Sequence, residues 1–338
     1  ILAAYYAKLL GLPVKNLICA SNENCVLTDF GKSGIYDKNR TLILSSSPSM
    51  DILISSNLER FLYHLSEGDS KFIKDIMTEL KEKGKVTTCG FIRVGDRSDS
   101  IGYENAAIKV LSSLGIECVQ FHYPEDITEA NFISELEKIG NDDSVDGFLL
   151  LRPLPAHIDD DLVGMKINPK KDIDGVSPYN IGEVFYPKED SFIPCTAAAV
   201  IKMLEFYDLD LTGKNAVVLG RSNVIGKPVA MLLLAKNATV TVCHSRTQNL
   251  KEVCKNADVL VSAIGKAHFV TKEFVKEGAI VVDVGTNYDE NGKVTGDVDF
   301  DEVSEIASYI NPVPGGIGSI TTSVLAEKCL IAARKKVK

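Results

Sequence analysis

The sequence predicts an α/β protein with two lobes around a cleft, the second a Rossmann-type doubly wound parallel sheet, preceded by an N-terminal α/β fragment. Three observations predict it. The chain has 338 residues, and at about 150 residues per domain that length implies more than one core. From Thr87 onward short apolar runs alternate with longer amphipathic stretches, the signature of strands joined by crossover helices. One of those runs leads straight into a glycine-containing turn and then a further apolar-periodic stretch, as in dinucleotide-binding units.

At the start of the chain, Leu2, Tyr5, Tyr6, Leu9 and Leu10 fall on one helical face, Gly11 suits a C-cap, and KNLICAS reads as a short buried strand. Because it opens at Ile1 inside this periodic stretch, the chain reads as a fragment. A polar, turn-rich segment runs to about Pro48; a helix is expected around ILISSNLERFLYHL, with a break at Gly68-Asp69-Ser70. Phe72, Ile73, Ile76, Met77 and Leu80 make the next amphipathic helix, closed by Lys83-Gly84. CGFIRVG, ECVQFHY and VDGFLLL are the strands of the first lobe, with helices near 103–114 and 129–139 between them. A helix from Cys195 to Tyr207 links the lobes, and NAVVLG, ATVTVC, DVLVSAIG and AIVVDVG are strands of the second. The expected units are residues 1–85, 86–200 completed by a C-terminal helix over 318–336, and 201–317. Clefts between such lobes are where ligands usually bind.

Composition excludes several classes of function. With 45% hydrophobic and 25% charged residues the chain is neither disordered nor low-complexity. Lys and Arg total 37 against 46 Asp and Glu, a net charge of -9. That argues against nucleic acid as a partner, while leaving room for a local basic pocket holding one phosphate. The longest apolar run, VAMLLLA, is far short of the roughly 20 residues that span a bilayer. No signal-peptide layout opens the chain, so a cytoplasmic protein is expected, with no membrane contact. Eight scattered cysteines without a C-x-x-C or a companion histidine read as reduced structural thiols, with no metal site and no disulfide framework.

Strand NAVVLG runs into RSNVIGKP, placing Gly220, Ser222 and Gly226 at the three positions of a G-x-G-x-x-G turn. Gly220 allows the tight turn, Gly226 allows close helix packing, and the helix N-terminus suits a pyrophosphate. The strand before and the helix after favour a nucleotide site over a turn that merely folds. No acid stands at the end of the second strand, where Cys243-His244-Ser245-Arg246 is found. Arg221, Ser245 and Arg246 can instead surround a ribose phosphate, which favours NADP over NAD. The alternative for the arginines is ordinary solvated surface, and His244 reads equally well as a structural histidine.

The ordered strings IRVGDRSDS, DGFLLLRPLP, KDIDGVSPYNIG, PCTAAAV, VVLGRSNVIGKP, TVCHSRT, VVDVGTN, GDVDF and NPVPGGIGSITTSVL resemble the methylenetetrahydrofolate dehydrogenase/cyclohydrolase (FolD) family over residues 86–338. The resemblance implies NADP-linked oxidation of methylenetetrahydrofolate in the cleft, and a homodimer. It implies substrate contacts at Tyr103, Leu151, Asp174, Pro314, Gly315 and Gly316, with Tyr103 and Asp174 as the catalytic pair. It implies cofactor contacts at Gly220, Arg221, Ser222, Gly226, Ser245, Arg246, Gly265 and Thr286. For Asp174 the alternative is a turn or cap in its loop, and for Tyr103 ordinary packing.

Two departures from the family pattern bear on chemistry. The family's catalytic lysine, one helical turn after the tyrosine, is here Ala107. Lys109 lies two residues further on, rotated by about 200° to nearly the opposite helix face. The family's glutamine before the PLP turn is also missing, since Leu151 and Arg152 stand there. The resemblance therefore implies a retained dehydrogenase and a weak or absent cyclohydrolase. Residues 1–85 look instead like an internal portion of threonine synthase, a pyridoxal-phosphate enzyme, without that family's lysine segment or a glycine-rich phosphate cradle. A pyridoxal-phosphate lyase and a non-catalytic folate or dinucleotide binder are the readings from other classes.

Overall fold

Strand β4 (Thr88–Val94) is buried over all but its first residue, as expected of a central strand in a parallel sheet covered on both faces. It pairs in parallel with β5 (Glu117–Tyr123) on one side and β6 (Gly147–Leu150) on the other. Side chains alternate across it: Cys89 and Phe91 enter one core, Ile92 and Val94 the other. The computed structural model describes residues 17–19, 25–28, 41–43, 67–290 and 292–337. The expected helices over ILAAYYAKLLG and ILISSNLERFLYHL lie outside them. The expected strand in KNLICAS contains β1 (Leu17–Cys19), which pairs antiparallel with β2 (Cys25–Thr28), itself paired with β3 (Thr41–Ile43).

Helix α1 (Glu67–Glu82) begins before the expected Phe72 and buries Ile73, Ile76 and Leu80. Helix α2 (Ser98–Ser113) starts five residues before its apolar periodicity does. Its first turn is polar: Asp99 accepts from the Ser100 N–H at 2.9 Å and its charge favours the helix N-terminus. Helix α3 (Glu129–Asn141) is capped by Thr128, whose side chain accepts from the Asn131 N–H at 3.3 Å. Short helices α4 (Asp160–Lys166) and α5 (Pro178–Gly182) follow.

The second sheet is parallel throughout, in the order β8-β7-β9-β10-β13, with β7 at Asn215–Leu219, β8 at Thr239–Cys243, β9 at Val259–Ser262, β10 at Ile280–Asp283 and β13 at Tyr309–Ile310. The chain leaves β7 for β8 on one side and returns to β9 on the other. That switch point opens a crevice at the carboxyl end of β7. Two-residue strands β11 (Asn287–Tyr288) and β12 (Val294–Thr295) form a small hairpin that periodicity did not predict, being too short to carry any. Helix α6 (Cys195–Phe206) joins the lobes, α7 (Gly226–Ala235) follows β7, and α8 (Leu250–Lys255) and α9 (Phe300–Ser304) are brief. The long terminal helix α10 (Ile317–Val337) packs on α6, α1, α2, β4 and β6. One apolar core therefore runs from Ile73 and Phe91 through Leu204 of α6 and Leu325 of α10 to Val218 and Val261 of the second sheet.

Two buried aspartates tie together the loops at the carboxyl edge of this sheet. Asp297 accepts from Ser262 Oγ at 3.1 Å, Ile264 N at 2.7 Å, Lys266 N at 2.8 Å and Asn287 Nδ2 at 3.0 Å. Asp283 accepts from the backbone N–H groups of Gly285, Asp297 and Val298 at 2.9–3.0 Å. Its own backbone is clipped by Asn311, which accepts from Asp283 N at 2.9 Å and donates to Asp283 O at 2.8 Å. A Cβ on Gly285 or Gly296 would collide with these carboxylates.

Asp297→Ala orphans several donors at once, at about 1–3 kcal/mol for each that water cannot reach, so a loss of at least about 3 kcal/mol is expected in chemical denaturation. Leu204→Ala should cost about 2–5 kcal/mol. Because its core spans both lobes, both should shift in a single transition when followed by separate spectroscopic probes.

Candidate functional site

Every strand of both parallel sheets ends on its functional side, so the residues singled out in the sequence collect at these carboxyl edges. After β7, Gly220 has φ of 125° and any Cβ there would strike the Ala263 carbonyl, so only glycine fits. A Cβ on Gly226 would strike the Gly220 carbonyl, which lets α7 begin hard against the strand. Ser222 Oγ accepts from Ile225 N and Gly226 N, both at 3.2 Å, and so shapes the turn from within. Arg221 and Ser222 are exposed, as are Ser245 and Arg246 at the end of β8, Gly265 after β9 and Thr286 after β10. The Asp297 bonds to Ile264 and Lys266 hold the loop with Gly265, and the Asp283 bond to Gly285 holds the loop with Thr286. His244 is spoken for locally: its Nδ1 accepts from Arg246 N at 3.2 Å and its backbone N–H donates to Thr247 Oγ1 at 2.9 Å. A dinucleotide fits this edge: glycine geometry where a side chain could not stand, a helix start beside it, and two arginines with no acid at the second strand end.

Across the cleft, the KDIDGV loop is organised by Asp172, which sequence reasoning passed over. Its carboxylate accepts from Gly175 N at 3.1 Å, Val176 N at 3.2 Å, Ser177 N at 2.7 Å and Asn180 Nδ2 at 2.9 Å. Gly175, at φ 75°, presses against the Phe192 carbonyl where no Cβ has room. The next carboxylate, Asp174, is thereby held in place: its carbonyl accepts from Cys195 N at 3.0 Å at the start of α6. Burial pushes Asp174 up to about 6, and the nearby Asp172 charge adds to this, against the opposing pull of Lys328, Arg152 and the Cys195 thiol. The signal that could have found Asp172 is the Asp-x-x-Gly spacing of an Asx turn, masked by the resemblance that pointed to its neighbour.

Tyr103 lies in the second turn of α2. Its residue is 37% exposed, but its hydroxyl is sunk toward Thr322 of α10, and burial together with the Asp174 charge raises its titration well above the ordinary phenol value. Thr322 lies in the second turn of α10, six residues after Gly316. Pro314 and Gly315 are exposed and Gly316 is buried. Ala107 is 1% exposed within the shared core, while Lys109 is exposed on the other side of α2. Leu151 is 7% exposed and points with Phe91 into that same core. Turned that way, it has no proton to offer the cleft.

The neighbour of Tyr103 carries a network that periodicity concealed. Glu104 is buried yet held below the usual carboxylate range, because His122, Gln120 and Arg93 outweigh its desolvation. Its partners are Arg93 Nε at 3.0 Å, Gln120 Nε2 at 3.0 Å and His122 Nε2 at 2.8 Å. Three separate strand residues thus fix the rotation of α2 and with it the direction of Tyr103.

Comparison with known proteins agrees with this arrangement. Family models for "Tetrahydrofolate dehydrogenase/cyclohydrolase, catalytic domain" and "NAD(P)-binding domain" match residues 65–174 and 194–337. The first span takes in α1. The bifunctional protein FolD of Alkaliphilus oremlandii is 48% identical over 255 residues, 75% of this chain and 90% of that protein. That of Enterococcus faecalis is 51% identical over 243 residues, 72% of this chain and 86% of that protein. The crystal structure of the FolD enzyme from Campylobacter jejuni superposes with a TM-score of 0.76 at 39% identity, covering 83% of this chain and 98% of that one. The Trypanosoma brucei enzyme, complexed with NADP cofactor and inhibitor, gives 0.75 at 33% identity over 80% of this chain and 94% of that one. The chain belongs to the tetrahydrofolate dehydrogenase/cyclohydrolase family.

Proposed function

We propose that this chain oxidises methylenetetrahydrofolate to methenyltetrahydrofolate with NADP, and hydrolyses the methenyl product slowly or not at all. The observation that carries this is an intact glycine turn and Asp174 loop beside a buried Ala107 and Leu151, where the family pattern has lysine and glutamine. NADP held at the Gly220 turn and between Arg221, Ser245 and Arg246 would supply the hydride acceptor. Asp174 accepts hydrogen bonds from the amino edge of the pterin, Tyr103 walls the ring, and the Pro314–Gly316 turn closes the seat. Oxidation leaves a cation shared by two nitrogens of the substrate, so no proton has to be removed and positioning suffices. Hydrolysis requires water to lose a proton as it attacks, and a placed base is worth roughly 10² to 10⁴ in rate.

The comparisons lend no support to the threonine-synthase likeness of residues 1–85, and the function is read from residues 65–337. A cytoplasmic setting belongs to the same proposal, supported by Cys89, Cys118, Cys195, Cys243, Cys254 and Cys329 all being free thiols. Among the described residues no helix is long and apolar enough to cross a membrane. A homodimer is part of the reading too, supported by the open outer edge of β5, where Val119 is 40% exposed.

The purified protein should reduce NADP with methylenetetrahydrofolate while methenyl product accumulates, both followed by absorbance; rapid hydrolysis by this chain alone overturns the proposal. The pH dependence has a definite sign. Asp174 must be ionised to accept from the pterin and titrates at about 6, so kcat/KM should rise as pH rises through about 6 and level off above it. Asp174→Asn should lower kcat/KM and abolish that limb.

A further inference from the structure

The family pattern puts a lysine at position 107, and this chain has lost it, yet a lysine is buried elsewhere beside the same carboxylate. Lys328, on α10, is 4% exposed. A buried ammonium is costly unless paired. Its Nζ donates to the Ile193 carbonyl, two residues before Cys195, and an ammonium has two further N–H donors to place. That carbonyl presses on Gly175, where a Cβ would lie 2.6 Å from it, so the charge sits beside the residue that follows Asp174. The Cys195 thiol, 1% exposed, donates to the Ile173 carbonyl at 3.2 Å, and its backbone N–H donates to the Asp174 carbonyl at 3.0 Å. Lys328 and Cys195 are thus buried, with Asp174 half-buried beside them, where α10, α6 and the KDIDG loop meet. The other lysine buried to a similar degree among the described residues, Lys171 at 6%, reaches the carbonyls of Ile139 and Asp142 at the end of α3 instead.

We infer that Lys328 is a positioning residue for the folate half of the site, supplying from α10 the positive charge that keeps the Asp174 carboxylate ionised and aimed at the pterin. The inference rests on the folate reading of the cleft. The charged and titratable groups that act on Asp174 include Asp172 on its own loop, Arg152 after β6, Tyr103 on α2, Cys195 on α6 and Lys328 on α10. Asp172 and burial oppose ionisation; Lys328 and Arg152 support it. Arg152 shares its charge with Asp160, to which its Nε donates at 2.7 Å, while its buried Nη1 has no hydrogen-bond partner among the described residues. Lys328, 4% exposed, is the more deeply buried of the two cations.

The test is KM for methylenetetrahydrofolate across about pH 5.5 to 8.5 in wild type, Lys328→Met and Lys328→Arg. NADP affinity, measured by fluorescence, reports folding of the second lobe. Removing the charge should move the titration of Asp174 upward, raising KM about fivefold near pH 7 and by little at the alkaline end, with kcat at saturation nearly unchanged. Lys328→Arg should restore the wild-type profile. If Lys328→Met does not accumulate as folded protein, the more polar Lys328→Gln makes the same comparison. A KM raised equally at all pH values, or a profile that overlays wild type, overturns the inference. Failure of the parent reading looks different: wild type itself would bind NADP but show no turnover with methylenetetrahydrofolate.

Discussion

The structure depends most on the hydrogen bonds that buried carboxylates accept from loop backbones. A parallel sheet delivers all its strand ends to one edge, but the loops beyond have no ladder to hold them. Here Asp297 gathers the loops after β9 and β10, Asp283 gathers the segment after β12, and Asn311 clips the Pro-Val-Pro-Gly-Gly turn to the end of β10. The loops after β9 and β10 and the Pro-Val-Pro-Gly-Gly turn carry residues proposed for ligand contact. Preorganisation of the nucleotide edge is thus the work of residues that do not face the nucleotide.

The same device recurs in the first lobe with a different consequence. Asp172 spends its carboxylate on four donors of its own loop, and this fixes Asp174 two residues on. Two carboxylates so close, one of them desolvated, would drive the free one toward its neutral form. Cations on neighbouring elements restrain that shift, and Asp174 ends near 6 rather than higher. On the proposed reading, substrate recognition and loop architecture are coupled through charge, with the C-terminal helix α10 taking part in both.

The two reactions of the family place unequal demands on this site. Hydride removal needs two ligands held face to face, which the lobes achieve because α6 and α10 belong to one core that passes between both sheets. Water addition needs a base in addition. Ala107 and Leu151 fill with apolar volume the positions where the family resemblance implies polar groups. The fold loses nothing by the exchange, since both side chains pack into that core.

Much was legible in the sequence because it is local. Strands β4, β6, β7, β9 and β10 reveal themselves as apolar runs buried on both faces, the exposed edge strands β5 and β8 by their place in the same strand–helix rhythm, the Gly220 turn by its glycines between strand and helix, and the family by ordered strings that include Tyr103, Asp174 and the Pro314–Gly316 turn. The start of α2 was misplaced because its first turn is polar and carries no periodicity, and the β11–β12 hairpin is too short to show any. Glu104, Asp283, Asp297 and Lys328 could not be read at all, and Asp172 only through its Asp-x-x-Gly spacing. A buried charge looks like any surface charge in a sequence, since its partners come from elements as far apart as β4 and β5, or α6 and α10. The sequence by itself determined which segments become strands and helices and which chemistry their ends can offer. Only the tertiary structure decided which charges are buried together, because desolvation and pairing depend on what packs above a residue, not on what precedes or follows it.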